Sequence, residues 1–116
     1  MTPLAEVSVG GDAEVAVAHV SGEVDASNAA EIGRRLRGAV TNQSHALVVD
    51  LLATSYLDSA AINVLFELAS ELGQHRQRVH VVVGRPVSRV LEITGVPGVA
   101  PMYASLDDAL QAERAG

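Results

Sequence analysis

The stretch from residue 46 to residue 72 constrains the fold most. Ala46-Leu-Val-Val-Asp-Leu-Leu52 is an almost unbroken apolar run of strand length, and such a run suits a central strand covered on both faces. Directly downstream, Ile62, Leu65, Phe66, Ala69 and Leu72 recur at i, i+3, i+4, i+7 and i+10. That is one face of a helix, which the spacing predicts from about Ser59 to Leu72 with Gly73 closing it. A buried strand that passes straight into an amphipathic helix is the unit of an α/β sheet.

The same alternation continues on both sides. Leu4 to Val9 and Val15 to Val20 read as a hairpin around Gly10-Gly11-Asp12. Ser27 to Val40 reads as a helix turning Ala29, Ile32, Leu36 and Val40 inward and Arg34, Arg35 and Arg37 to water, with Asn28 and Glu31 at capping-box spacing. After the central pair come a short strand at Val79 to Val83 and a helix opened by Pro86, with inner face Val87, Val90, Leu91 and Thr94, which Gly95 ends. A weak strand near Val99 to Met102 then leads through the capping box Ser105-Leu-Asp-Asp108 to a last helix bearing Leu106, Ala109 and Leu110. The order is ββαβαβαβα. Right-handed crossovers make the strands after the hairpin parallel, so the expectation is an α/β fold: a mixed sheet of four to five strands with helices mainly on one face. Val48, Leu51, Ile62, Leu65, Phe66, Val81, Val83 and Leu91 should be largely buried. With no internal repeat and no linker, residues 1–116 read as one domain.

Composition narrows the chemistry. The 116 residues are 48% hydrophobic and 19% charged, enough for one modest core. All 8 basic residues are Arg, and against 14 acidic residues they leave a net charge of -6, which argues against nucleic acid or an anionic membrane as partner. Without Lys there is no Schiff-base chemistry and no phosphate-loop lysine. Without Cys there is no disulfide, thiolate metal site or cysteine nucleophile, as suits a reducing compartment. Met1-Thr-Pro-Leu-Ala-Glu6 lacks the basic and apolar regions of a leader, and no window holds 18 apolar residues, so a soluble cytoplasmic chain is expected. His19, His45, His75 and His80 are scattered rather than spaced as metal ligands, and Gly84-Arg-Pro86 is too short for a dinucleotide fingerprint. No metal, cofactor or catalytic pair is expected.

Polar groups concentrate at the junction of the central strand and its helix, where Asp58 and Ser59 fall at the cap or first turn. A plain N-cap accounts for the residue types. The wider sequence says more. Tyr56-Leu-Asp-Ser-Ala-Ala-Ile-Asn-Val-Leu65, preceded by Val48-Val-Asp-Leu51, resembles the STAS domain family of anti-sigma factor antagonists (anti-anti-sigma factors), whose signature is an Asp-Ser pair opening a helix. Val20-Ser-Gly-Glu-Val-Asp-Ala-Ser-Asn-Ala-Ala-Glu-Ile32 is similar to the family's Gly-Glu-hydrophobic-Asp segment entering its first helix.

That resemblance implies a small STAS-type sandwich and a partner-switching cycle. The antagonist binds an anti-sigma factor, often a serine kinase of the histidine-kinase-like ATPase fold, and so frees a sigma factor. Phosphorylation breaks the complex and a phosphatase restores it. By match to the motif the phosphoacceptor is Ser59, and the partner-binding face comprises Asp25, Ser55, Tyr56, Asp58, Ser59, Ala60, Ala61 and Asn63. The chain departs from the family's usual Asp-Ser-Ser/Thr-Gly: Ala60 and Ala61 fill the last two places, and Asn63 stands where Gly is frequent. Ala60 leaves Ser59 the only hydroxyl in the turn, whereas Ala61 adds a methyl where a partner backbone would approach. Two other readings remain open at this point: an unphosphorylated STAS scaffold regulating a transporter or stress complex, and a small enzyme or ligand-binding domain using Thr54 to Ser59.

Overall fold

The structure, a computed structural model, describes residues 3–116. The chain runs β1 (Ala5–Gly11), β2 (Val15–Val24), α1 (Ala29–Gly38), β3 (Ala46–Leu57), α2 (Ser59–Gln74), β4 (Arg78–Val82), α3 (Val87–Thr94), a 3-10 turn (Val96–Gly98), β5 (Met102–Tyr103) and α4 (Leu106–Ala115). The strands form one sheet in chain order. β1 is antiparallel to β2 and every other pair is parallel, so the expected order and mixed sheet are both present.

Period-two alternation divides the sheet residues between two layers. Ala16, Ala18 and Val20, Leu47, Val49 and Leu51, and Val79, Val81 and Val83 pack against Ile32 and Leu36 of α1, Leu65, Leu68 and Leu72 of α2, and Val87 and Leu91 of α3. The opposite layer is smaller: Val15, Val17, Val48 and Val82 meet Ala109 of α4. Three helices therefore cover one face and one covers part of the other. The residues expected inside are buried, apart from Phe66, which is partly buried.

Several boundaries differ from the sequence expectation. The hairpin turns at Asp12, whose Oδ1 accepts the N–H groups of Glu14 and Val15 at 2.9 Å, while Gly10 and Gly11 still belong to β1. Gly73 lies inside α2; the helix ends at Gln74 with His75 as its C-cap, and Arg76 takes the left-handed conformation at φ 59°. In α3 only Val87 and Leu91 face inward. Val90 and Thr94 are exposed, because so short a helix buries only a narrow stripe. Gly95 does close it, at φ 88°. The strand expected near Val99 to Met102 is shorter and later: a 3-10 turn with buried Val96 precedes it, residues 99–101 are not strand, and β5 is only Met102–Tyr103.

α4 is held by charge as well as by Ala109. Glu113 is buried, and its carboxylate accepts a forked pair from Arg78 at the start of β4, with Nε to Oε1 at 2.9 Å and Nη2 to Oε2. His80 Nε2 lies 2.7 Å from the same Oε1, and His80 Nδ1 is 3.3 Å from the Tyr103 hydroxyl. A buried carboxylate needs such partners. Arg78 above all, helped by His80, holds the Glu113 carboxyl down at about 2 against the opposing effect of burial.

Candidate functional site

The largest departure from the sequence expectation shapes the site. The apolar run marks the central strand only to Leu52, but residues 53 to 57 continue β3, pairing Ser21 with Ala53, Gly22 with Thr54, Glu23 with Tyr56 and Val24 with Leu57, with breaks in register between His19 and Ser21 and between Gly22 and Glu23. β4 stops pairing at Asp50, so this extension has a strand on one side only. It bears exposed polar side chains for that reason and reads as a loop in sequence. Thr54 is its buried member, donating from Oγ1 to the Val20 carbonyl at 2.8 Å. Ser55 donates to the Gly22 carbonyl at 3.3 Å, and Tyr56 is exposed.

Gly22 opens the neighbouring segment. Its φ is +92°, and a Cβ there would lie 2.1 Å from the Leu4 carbonyl oxygen, so only glycine lets β1 approach while Glu23 donates its N–H to that oxygen at 2.9 Å. β2 then ends and the chain turns through Asp25, Ala26 and Ser27 into α1. The Asp25 carboxylate accepts from both the hydroxyl and the N–H of Ser27, which together lower its pKa. Asn28 does not cap α1 with its side chain as its spacing with Glu31 suggests. Its amide turns back instead, Oδ1 accepting from the Asp25 N–H at 2.9 Å and Nδ2 donating to the Glu23 carbonyl at 3.0 Å.

Asp58 brings the two motifs together. It is the N-cap of α2, with Oδ1 accepting from Ala61 N–H at 3.1 Å, while Oδ2 accepts from Ala26 N–H at 3.0 Å and its own N–H donates to the Val24 carbonyl at 3.2 Å. Ser59 follows as the first residue of α2 and is exposed. The unpaired N–H groups and positive dipole end of a helix favour an anion in this position. Ala60 is half-buried, and Asn63 is exposed with its Nδ2 donating to Glu67 at 3.2 Å. Ala61 faces the other way. Its side chain is 3% exposed in the core, so the methyl that the sequence places in a partner's path points inward, and only its N–H belongs to the site. Ser59, Ala60, Ile62, Asn63 and Phe66 line an open groove that Thr94 of α3 closes on the far side.

The histidines lie elsewhere. His19 Nδ1 is 2.7 Å from Asp50 Oδ2, and His80 serves Glu113 and Tyr103, so neither is engaged with Ser59. Among the described residues no group of three or more His, Cys, Asp or Glu side chains is placed to hold a metal, and no helix is long and apolar enough to cross a membrane. Sequence reasoning missed the backward bonds of Asn28 and the role of Glu113; the only signal for the first is the three-residue spacing of Asn28 from Asp25.

Both motifs thus meet at one end of the sheet, and comparison with known proteins agrees with them. A family model described as STAS domain matches residues 6–109. The chain belongs to the STAS domain family. It is similar to the anti-sigma-F factor antagonist RsfB of Mycobacterium tuberculosis, with 29% identity over 102 residues that cover 88% of this chain and 84% of that protein. The crystal structure of an anti-sigma factor antagonist from Mycobacterium paratuberculosis matches at a TM-score of 0.85, with 32% identity over 95% of this STAS domain chain and 94% of the other. The anti-sigma factor antagonist SpoIIAA in its unphosphorylated form matches at 0.79 with 18% identity over 96% and 98% of the two chains, a likeness of fold.

Proposed function

We propose that this STAS domain is an anti-sigma factor antagonist, binding an anti-sigma factor while Ser59 is unmodified and releasing it once Ser59 is phosphorylated. The observation that carries the reading is the position of Ser59: exposed at the first residue of α2, beside an Asp58 whose carboxylate also holds the turn leading into α1. The docking face is Asp25, Ser55, Tyr56, Asp58, Ser59, Ala60 and Asn63. The similarity to anti-sigma factor antagonists over most of the chain supports the partner class.

The partner is a kinase-type anti-sigma factor that supplies the nucleotide, and a phosphatase resets the switch. The domain itself binds and does not catalyse, needs no cofactor, and works in the cytoplasm. A phosphoryl group adds about -1.5 to -2 charge beside Asp58. At an interface shaped for a neutral hydroxyl it brings like-charge repulsion and desolvation, while the helix N-terminus lets the domain itself accommodate the anion. Incubation with the cognate kinase and ATP followed by peptide mass spectrometry tests the acceptor. Modification confined to Ser59 is the expected result, and modification of Ser27 or Ser55 with Ser59 untouched overturns it.

A further inference from the structure

We propose that Asn28 is a positioning residue for partner docking, its side-chain amide clamping the Asp25–Ser27 turn beside Ser59 rather than capping α1; this rests on the antagonist reading above. Asn is among the residues most favoured for capping a helix with its side chain. Here it occupies the cap position of α1 yet makes no such bond, and both ends of its amide go to the preceding turn, to the Asp25 N–H and the Glu23 carbonyl. The backbone of the same turn is tied from the other side by Asp58, through the Ala26 N–H. The two anchors hold successive peptide groups, at Asp25 and Ala26. Between them they fix where the Asp25 carboxylate and the Ser27 hydroxyl bonded to it stand relative to the start of α2. A turn preorganised in this way loses less freedom when a partner docks than a loose one does. Asn28 itself need not touch the partner to have that effect.

The test pairs Asn28→Ala with Glu31→Ala, which weakens the start of α1 by removing its first-turn acid but leaves the turn alone. Amide hydrogen exchange on the free protein comes first. Asn28→Ala should speed exchange at Asp25 about tenfold, Asn28→Asp, which keeps an oxygen facing that N–H, should restore much of the protection, and Glu31→Ala should change neither. Titration of purified kinase-type anti-sigma factor should then find Asn28→Ala about tenfold weaker than wild type, with Glu31→Ala unchanged. Unchanged exchange at Asp25 in Asn28→Ala overturns the clamp. Unchanged affinity despite a loosened turn, or equal losses in Glu31→Ala, overturns the docking role. If wild type itself fails to bind the anti-sigma factor, the antagonist reading falls and the docking role with it, while the exchange result still decides whether Asn28 holds the turn.

Discussion

Asp58 Oδ2 accepts the N–H of Ala26 at 3.0 Å across 32 residues of sequence. With Oδ1 on Ala61 N–H, one carboxylate starts α2 and pins the turn before α1. Asp58→Ala removes a cap worth about 1 kcal/mol and leaves a second N–H unanswered, for a total loss of about 2 kcal/mol. Asp58→Asn retains one acceptor oxygen and should lose about half of that. Urea midpoints of the two variants check the order; an Asp58→Ala midpoint equal to wild type would contradict the staple.

Glu113 predicts an acid-dependent stability. Its folded pKa is about 2, depressed from 4.5, so its contribution is fully present above about 4.5 and is lost as pH falls through about 2. Because the Arg78 side chain is 57% exposed, the interaction is discounted for solvent screening to on the order of 2 kcal/mol. Glu113→Gln should therefore be less stable than wild type at neutral pH, and the gap should narrow as denaturation is repeated at pH 4, 3 and 2. A gap independent of pH would count against the ion pair.

Leu91 and Ile93 sit on the same short helix, one 0% and the other 75% exposed. Leu91→Ala should cost about 2–5 kcal/mol through lost burial and a residual cavity. Ile93→Ala should stay within about 0.5 kcal/mol of wild type. Thermal melting of the two, side by side, checks the depth of the α3 stripe.

Gly22→Ala should destabilise by about 2 kcal/mol or more, since the left-handed conformation and the Leu4 carbonyl both exclude a Cβ. Amide exchange should localise the damage to the β1–β2 pairing, and a melting temperature equal to wild type would contradict the close approach.

The elements legible in the sequence are those whose pattern is set by burial, on one face for a helix and on both for a central strand. Ile62, Leu65 and Leu72 mark the inner face of α2 because one side of that helix meets the sheet, and Leu47 to Leu51 read as a central strand because helices lie on both sides. The last residues of β3 were not legible, since Tyr56 pairs on one edge only, Ser55 falls at a break in register, and both keep loop-like polarity. Nor was the Glu113 anchor: a carboxylate spaced like a surface residue is buried only because Arg78 and His80, more than thirty residues away, converge on it. At the site, Asp58 and Ser59 were legible from type and order, whereas the inward aim of Ala61 and the backward bonds of Asn28 depend on how α2 and the turn seat against the sheet.

Calorimetric titration of the kinase-type anti-sigma factor with unmodified, Ser59-phosphorylated and Ser59→Ala protein tests the central claim most directly. Unmodified and Ser59→Ala protein should bind alike. The phosphoprotein should bind at least about a hundredfold more weakly, equivalent to roughly 3 kcal/mol, with an unchanged circular dichroism spectrum. Equal affinity of all three would contradict the switch.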